Sequence, residues 1–160
     1  MARSADPTPP PVATCLWFRD QAEQAARFYT ELLPGSALQH VHRPDPAAPA
    51  VMVAFTLAGV PYQALNGARH DFNDTVSIAV TTRDQAETDR LWAALTDGGV
   101  ALQCGWCRDR FGVAWQVVPA ALPRLLGGPD REGAARAMEA MLQMQKIDIA
   151  ALERAYAGAG

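Results

Sequence analysis

The sequence predicts an α+β fold in which two β-α-β-β-β units in tandem form a curved mixed sheet around a cleft, with a helical extension at the C-terminus. Three observations predict it. Arg19–Gln39 (RDQAEQAARFYTELLPGSALQ) and Arg83–Gln103 (RDQAETDRLWAALTDGGVALQ) are identical at nine of 21 positions. A second pair, Gly59–Gln63 (GVPYQ) and Gly112–Gln116 (GVAWQ), follows in the same order. The last third of the chain lacks the repeat and reads as helix. An internal repeat marks a unit that cannot bury its apolar face alone, so the two copies are expected to pack together.

Each element has a local reason. ATCLWF (13–18) is a β-prone run, and the helix after it carries Ala22, Ala25, Ala26, Tyr29, Leu32 and Leu33 on one stripe. Asp20 followed by Glu23 reads as a capping box, and Pro34-Gly35 ends the helix. ALQHVH, VMVAFTL and VPYQALN are the next three strands, with Ala58-Gly59 as a tight hairpin. The second unit repeats the plan: TVSIAVT (75–81), a helix capped by Asp84 and Glu87 with Leu91, Trp92 and Leu95 on its face, a stop at Asp97-Gly98-Gly99, then ALQCGWC and VAWQVVP. A short strand is expected near Cys107. Pro129-Asp130 opens a helix running to about Gln145 with Ala134, Met138, Met141 and Leu142 apolar, and Asp148 caps a final helix containing Leu152 and Tyr156. Met138, Met141 and Met144 form a soft stripe suited to a core or a subunit interface. The organisation expected is a flexible Pro-rich lead (1–12), a tandem domain (13–128), and C-terminal helices (129–160) that pack on the domain or on a dimer partner.

Composition sets bounds. A chain of 160 residues with 49% hydrophobic and 19% charged residues builds a core of its own. A net charge of −3 without a basic stripe argues against nucleic acid. No apolar run approaches the ~20 residues of a membrane helix, and the N-terminal stretch lacks the apolar segment of a secretory signal. Three cysteines are too few for a secreted disulfide scaffold, so a reducing cytoplasm is expected.

Cys104 and Cys107 have the spacing of a redox pair or half a zinc site. A reactive pair sits at a helix start, where the thiol pKa falls, yet RDRFG and a strand follow Cys107 here. A zinc site needs two further ligands, and only Cys15 remains. Packing near a cleft wall is the preferred reading. His40 and His42, two apart on a strand, share a face and could hold a metal with Asp45 or His70. Lacking an evident third ligand, they are read as a solvated strand end.

The tandem unit resembles the vicinal oxygen chelate superfamily of glyoxalase I, extradiol dioxygenases and bleomycin-binding proteins. CLWF with the QAE helix and FYTELLPGS, ALNG, the QCGW…D-x-FG-V-x-WQVVP block and the tail AMLQMQKIDIAALERAY resemble its PhnB-like subgroup, often labelled 3-demethylubiquinone-9 3-methyltransferase-like. The resemblance implies metal-ligand positions at Gln63 and Gln116 on the last strands, at or next to Thr14, and at Ser77 or Ile78. None is His, Asp or Glu, and neutral carboxamides are weak ligands for divalent cations. No cofactor is therefore expected. The cleft would be lined by Trp17, Gln63, Asn66, Cys104, Trp106, Phe111 and Gln116, the two glutamines supplying neutral donors and acceptors. Plain core or turn roles compete for the aromatic residues, Asn66 and Asp109.

The function expected is metal-free binding of a small, partly aromatic or planar molecule by a cytoplasmic homodimer, with no nucleic-acid or membrane partner. The alternative is an enzyme of the superfamily, either glyoxalase- or dioxygenase-like with an atypical metal site or the methyltransferase of the label. A glycine-rich turn after the first strand, which a nucleotide-like methyl donor commonly meets, is missing from ATCLWFRDQAE. A mainly structural or regulatory homodimer is the third reading.

Overall fold

The computed structural model describes residues 10–159, so most of the Pro-rich lead lies outside the described residues. The chain divides into two units, the first ending at Asp71 and the second beginning at Phe72.

The first unit runs β1 (Thr14–Phe18), α1 (Ala22–Leu32), β2 (Ala37–His42), β3 (Met52–Leu57) and β4 (Val60–Asn66). Its sheet has the order β1-β4-β3-β2, with β1 parallel to β4 and the other pairs antiparallel. The expected helical stripe is the buried one: Ala22, Ala25, Ala26, Tyr29 and Leu32. They cover the sheet face that carries Leu16, Phe18, Val53, Phe55, Leu57 and Ala64, all buried. The Tyr29 and Phe55 rings lie 6.4 Å apart and Phe55 stacks on Tyr62 at 5.5 Å. Burying each large side chain contributes roughly 1.5–3 kcal/mol. The β3–β4 hairpin turns on Ala58 (φ 46°) and Gly59 (φ 83°). Two positive φ values in succession define the turn that matches strand twist. Ala58 adopts one without glycine's freedom, and Ser36 Oγ accepts from its N–H.

The Asp20–Glu23 capping box does not form. The N-cap residue is Gln21, which makes no side-chain cap. Asn66 Oδ1 instead accepts from Ala22 N at 2.8 Å, and Asn66 Nδ2 donates to Ala50 O at 2.8 Å. Glu23 is drawn to Arg27 and Arg43, which hold its carboxyl below the usual carboxylate range.

The second unit runs β5 (Ser77–Thr82), α2 (Gln85–Thr96), β6 (Val100–Ala101), β7 (Trp106–Arg108), β8 (Ala114–Pro119), α3 (Leu122–Gly127), α4 (Arg131–Leu142) and α5 (Ile149–Ala157). Its sheet, β5-β8-β7-β6, repeats the first sheet's pairing. The repeat's β-α-β-β-β order thus holds in both units, and the strands are hydrogen-bonded as two four-stranded sheets. Here the aspartate does cap the helix: Asp84 Oδ1 accepts from Glu87 N, and Glu87 Oε2 reaches back one residue past the cap to accept from Arg83 N. Leu91 and Leu95 are buried, while Trp92 is half-buried.

The ALQCGWC strand breaks after Ala101. Cys104 (φ 59°) and Gly105 (φ 81°) turn the chain under the end of α4, where Cys104 N donates to Met144 O and Gly105 N to Gln145 O. A Cβ at Gly105 would lie 2.8 Å from Val117 O, so only glycine fits. The helix α4 stops at Leu142 rather than near Gln145, its end tightened by bonds from Gln143 N to Ala140 O and from Met144 N to Met141 O. Asp130 and Asp148 cap α4 and α5 as expected. The helix α3, with Pro123 in its first turn, was not expected from the sequence.

Leu125, Ala137, Ile147 and Leu152 form the core of the C-terminal helices, with Met141, Met144 and Tyr156 packed against it. Met138 and Leu142 point outward. Gln85 of α2 grips this segment, donating from Nε2 to Ile147 O and accepting from Ile149 N at Oε1. No described helix is long and apolar enough to cross a membrane.

Candidate functional site

Strand register decides which side chains share the face turned away from the helix. In the first unit, Cys15 pairs with Gln63, Gln63 with Ala54, and Ala54 with His40. The next rung is Trp17, Leu65, Met52 and His42. This face carries no carboxylate. Gln63 is half-buried at its centre, and Trp17 is 55% exposed at its edge. The Trp17 indole is held in place because Nε1 donates to Asn66 O at 3.1 Å. Burial pushes the Cys15 thiol pKa up, so it is a neutral group.

The corresponding face of the second unit carries Ser77, Ala79, Trp106, Arg108, Gln116 and Val118. Trp106 is the direct cross-strand neighbour of Gln116. Gln116 Nε2 donates to Ser77 Oγ at 2.8 Å, which fixes the carboxamide across the β5–β8 pair. Arg108 Nε donates to Asp74 Oδ1 at 2.7 Å and holds that carboxyl below its usual range.

The structure therefore brings together Gln63 and Trp17 on one face, and Gln116 and Trp106 on the other unit's equivalent face. It gives three other expected site residues local duties. Asn66 spends both amide groups on α1 and on Ala50. Cys104 stands in the turn beneath α4, with Sγ 3.7 Å from Met141 O. Phe111 lies in the loop closed by Asp109, whose Oδ1 accepts from Phe111 N and Val113 N while Oδ2 accepts from Trp115 Nε1 at 2.8 Å. This buried carboxylate explains the D-x-F-G-V-x-W spacing as a structural device. The Gln116–Ser77 bond needs strand register to be seen.

Cys107 is buried against the helix side of the sheet, paired with Trp115. Burial, and then the Asp109 charge, push its thiol up to about 12. Such a thiol is a packing group and not a nucleophile at neutral pH. The donor sets at Gln63 and Gln116 do not fit a divalent metal of the superfamily's kind. Their strand neighbours are Cys15 and Ala79, and Thr14, Ser77 and Ile78 add only hydroxyls and a hydrocarbon. Among the described residues, no three His, Cys, Asp or Glu side chains are grouped to hold a metal ion. Asp45 Oδ1 accepts from Ala47 N within its own loop.

Comparison with known proteins follows the same lines. The family model described as 3-demethylubiquinone-9 3-methyltransferase matches residues 10–118. The PhnB protein from Bacillus cereus is 28% identical, with a TM-score of 0.62 over 69% of this chain and 100% of that one. A protein from Pseudomonas aeruginosa is 23% identical, with a TM-score of 0.58 over 68% and 96%. The fosfomycin resistance protein FosX from Mesorhizobium loti, 12% identical with a TM-score of 0.51 over 67% and 88%, shares the fold. No curated protein matches the chain. With the tandem β-α-β-β-β units and the family match in agreement, the chain belongs to the 3-demethylubiquinone-9 3-methyltransferase family, in the PhnB-like subgroup of the vicinal oxygen chelate superfamily.

Proposed function

We propose that this chain is a small-molecule-binding protein that holds a planar, partly aromatic ligand by neutral hydrogen bonds and aromatic contact, without a metal ion at Gln63 or Gln116. One observation carries the reading: both units place a glutamine at a repeat-equivalent position on the face away from the helix, and each of those faces carries a tryptophan, Trp17 on β1 in the first unit and Trp106 on β7 in the second. A carboxamide both donates and accepts, and an indole face suits a flat partner. Methyl transfer from a nucleotide-like donor gains little support. The α1 N-terminus, where such a donor's phosphate or carboxylate would be received, is already capped by Asn66. Three free thiols suit a reducing cytoplasm, and the outward Met138 and Leu142 suit a homodimer.

The test is a thermal-shift screen of planar aromatic compounds, followed by titration calorimetry on Gln116→Leu. A hit should bind Gln116→Leu about 1–3 kcal/mol more weakly, the cost of leaving a buried polar partner unsatisfied. Unchanged affinity in a folded Gln116→Leu protein would reduce Gln116 to a packing residue. One equivalent of zinc, nickel or iron retained after dialysis against a chelator, and lost in Gln63→Leu or Gln116→Leu, would favour an enzyme instead.

A further inference from the structure

We propose that His40, His42 and Met52 form a surface site for a single copper(I) ion. The sequence offers the two histidines but no third ligand near them. Strand pairing supplies one. A register shift between Leu38 and His40 precedes the histidines, after which His40 pairs with Ala54 and His42 with Met52. Directly opposed residues of an antiparallel pair share a face, and so do residues two apart on one strand. Both imidazoles and the Met52 thioether thus project from the same side of β2 and β3.

The rings are already neighbours. Their centroids lie 6.4 Å apart, with an angle of 25° between planes. Imidazole nitrogens bind metals at ~2.0–2.1 Å, so one ion bridges the gap after small χ rotations. Both histidines are exposed and free to make them, while Met52 is half-buried. Ala54, opposite His40, leaves space between the rings and the thioether. Leu65, beside Met52 on β4, adds an apolar wall.

The identity of the ion follows from the donors. Two imidazoles and a thioether are neutral, imidazole binds copper well, and the soft thioether selects copper(I) where carboxylates would select harder divalent ions. Two nearby carboxylates are otherwise engaged: Glu23 with Arg27 and Arg43, and Asp45 with the Ala47 amide. Gln63 lies beyond Ala54 on the next strand and is no part of the site. The copper proposal therefore stands or falls apart from the ligand reading above.

The test is anaerobic withdrawal of copper(I) from its bicinchoninate complex, read by absorbance, in a Cys15→Ser, Cys104→Ser protein that removes the more accessible thiols. One equivalent should be withdrawn. His40→Ala and Met52→Leu should each weaken copper(I) binding at least about tenfold. Met52→Leu should alter zinc(II) affinity by less than about threefold, because zinc gains little from a thioether. Circular dichroism checks that each variant is folded. No withdrawal of copper(I), or equal copper(I) affinity in folded Met52→Leu, would overturn the proposal.

Discussion

The two units open their helices with the same five residues, RDQAE, and cap them differently. In the second unit Asp84 caps the helix and Glu87 reaches back to the Arg83 amide, both within the pentapeptide. In the first, Asp20 caps nothing, Glu23 turns to two arginines, and α1 starts one residue later in the repeat register. The cause sits at the end of the last strand. Phe18 pairs with Asn66 in the first unit, and Thr82 pairs with Pro119 at the same rung of the second. Asn66 reaches the first free N–H of α1, whereas Pro119 has no polar side chain to offer. A local cap is therefore an option that a distant amide displaces, because a helix N-terminus needs its N–H groups satisfied and not a particular residue to do it.

This comparison can be broken most directly at Asn66. Asn66→Ala removes a partner from both Ala22 N and Ala50 O and should cost about 1–3 kcal/mol in urea unfolding. A loss well below that range would mean that Asp20 or water takes over the cap.

The aspartates sharpen it. Asp84→Ala should destabilise by about 1 kcal/mol, the usual worth of an N-cap. Asp20→Ala, exposed and outside the cap, should stay within about 0.5 kcal/mol of the parent. Equal effects at the two positions would show that the repeat, and not Asn66, governs both helices.

The smallest effect at neutral pH separates the thiols. Cys107 is buried on the helix side of its sheet, while Cys15 lies exposed on the open side of the other. The folded Cys107 thiol stays protonated to about 12, against an ordinary 9.0 when unfolded. Its contribution is complete below pH 9 and is lost as pH rises from 9.0 towards about 12, because the unfolded chain releases the proton first. Cys107→Ala should flatten the fall in the urea midpoint across that window. The same slope in parent and variant would assign the alkaline loss to other groups.

Much of this was legible in the chain. The repeat announced two units of one plan, the apolar stripe of α1 named its buried residues, and Asp84, Asp130 and Asp148 announced three helix starts. These features are local, set by residues three or four apart, and local spacing survives folding. The glutamines were legible as a repeat-equivalent pair, and so was their lack of charge. The partners of Asn66 and Cys104 were not legible because they lie outside those residues' own segments, at Ala22 and Ala50 and at the end of α4, whereas the Asp109 bond to the Phe111 amide is local.

By itself, then, the sequence determined the order of strands and helices within the two repeats, the apolar stripe of α1 and the neutral polar character of the candidate site. Tertiary structure alone decided which side chains become neighbours across strands: Trp106 beside Gln116, Ser77 holding Gln116, Met52 opposite His42, Asn66 on α1. The physical reason is register. A strand's alternation fixes which residues share a face, but a shift of one residue in pairing exchanges every cross-strand neighbour, and only the hydrogen-bonded ladder of the folded sheet settles it.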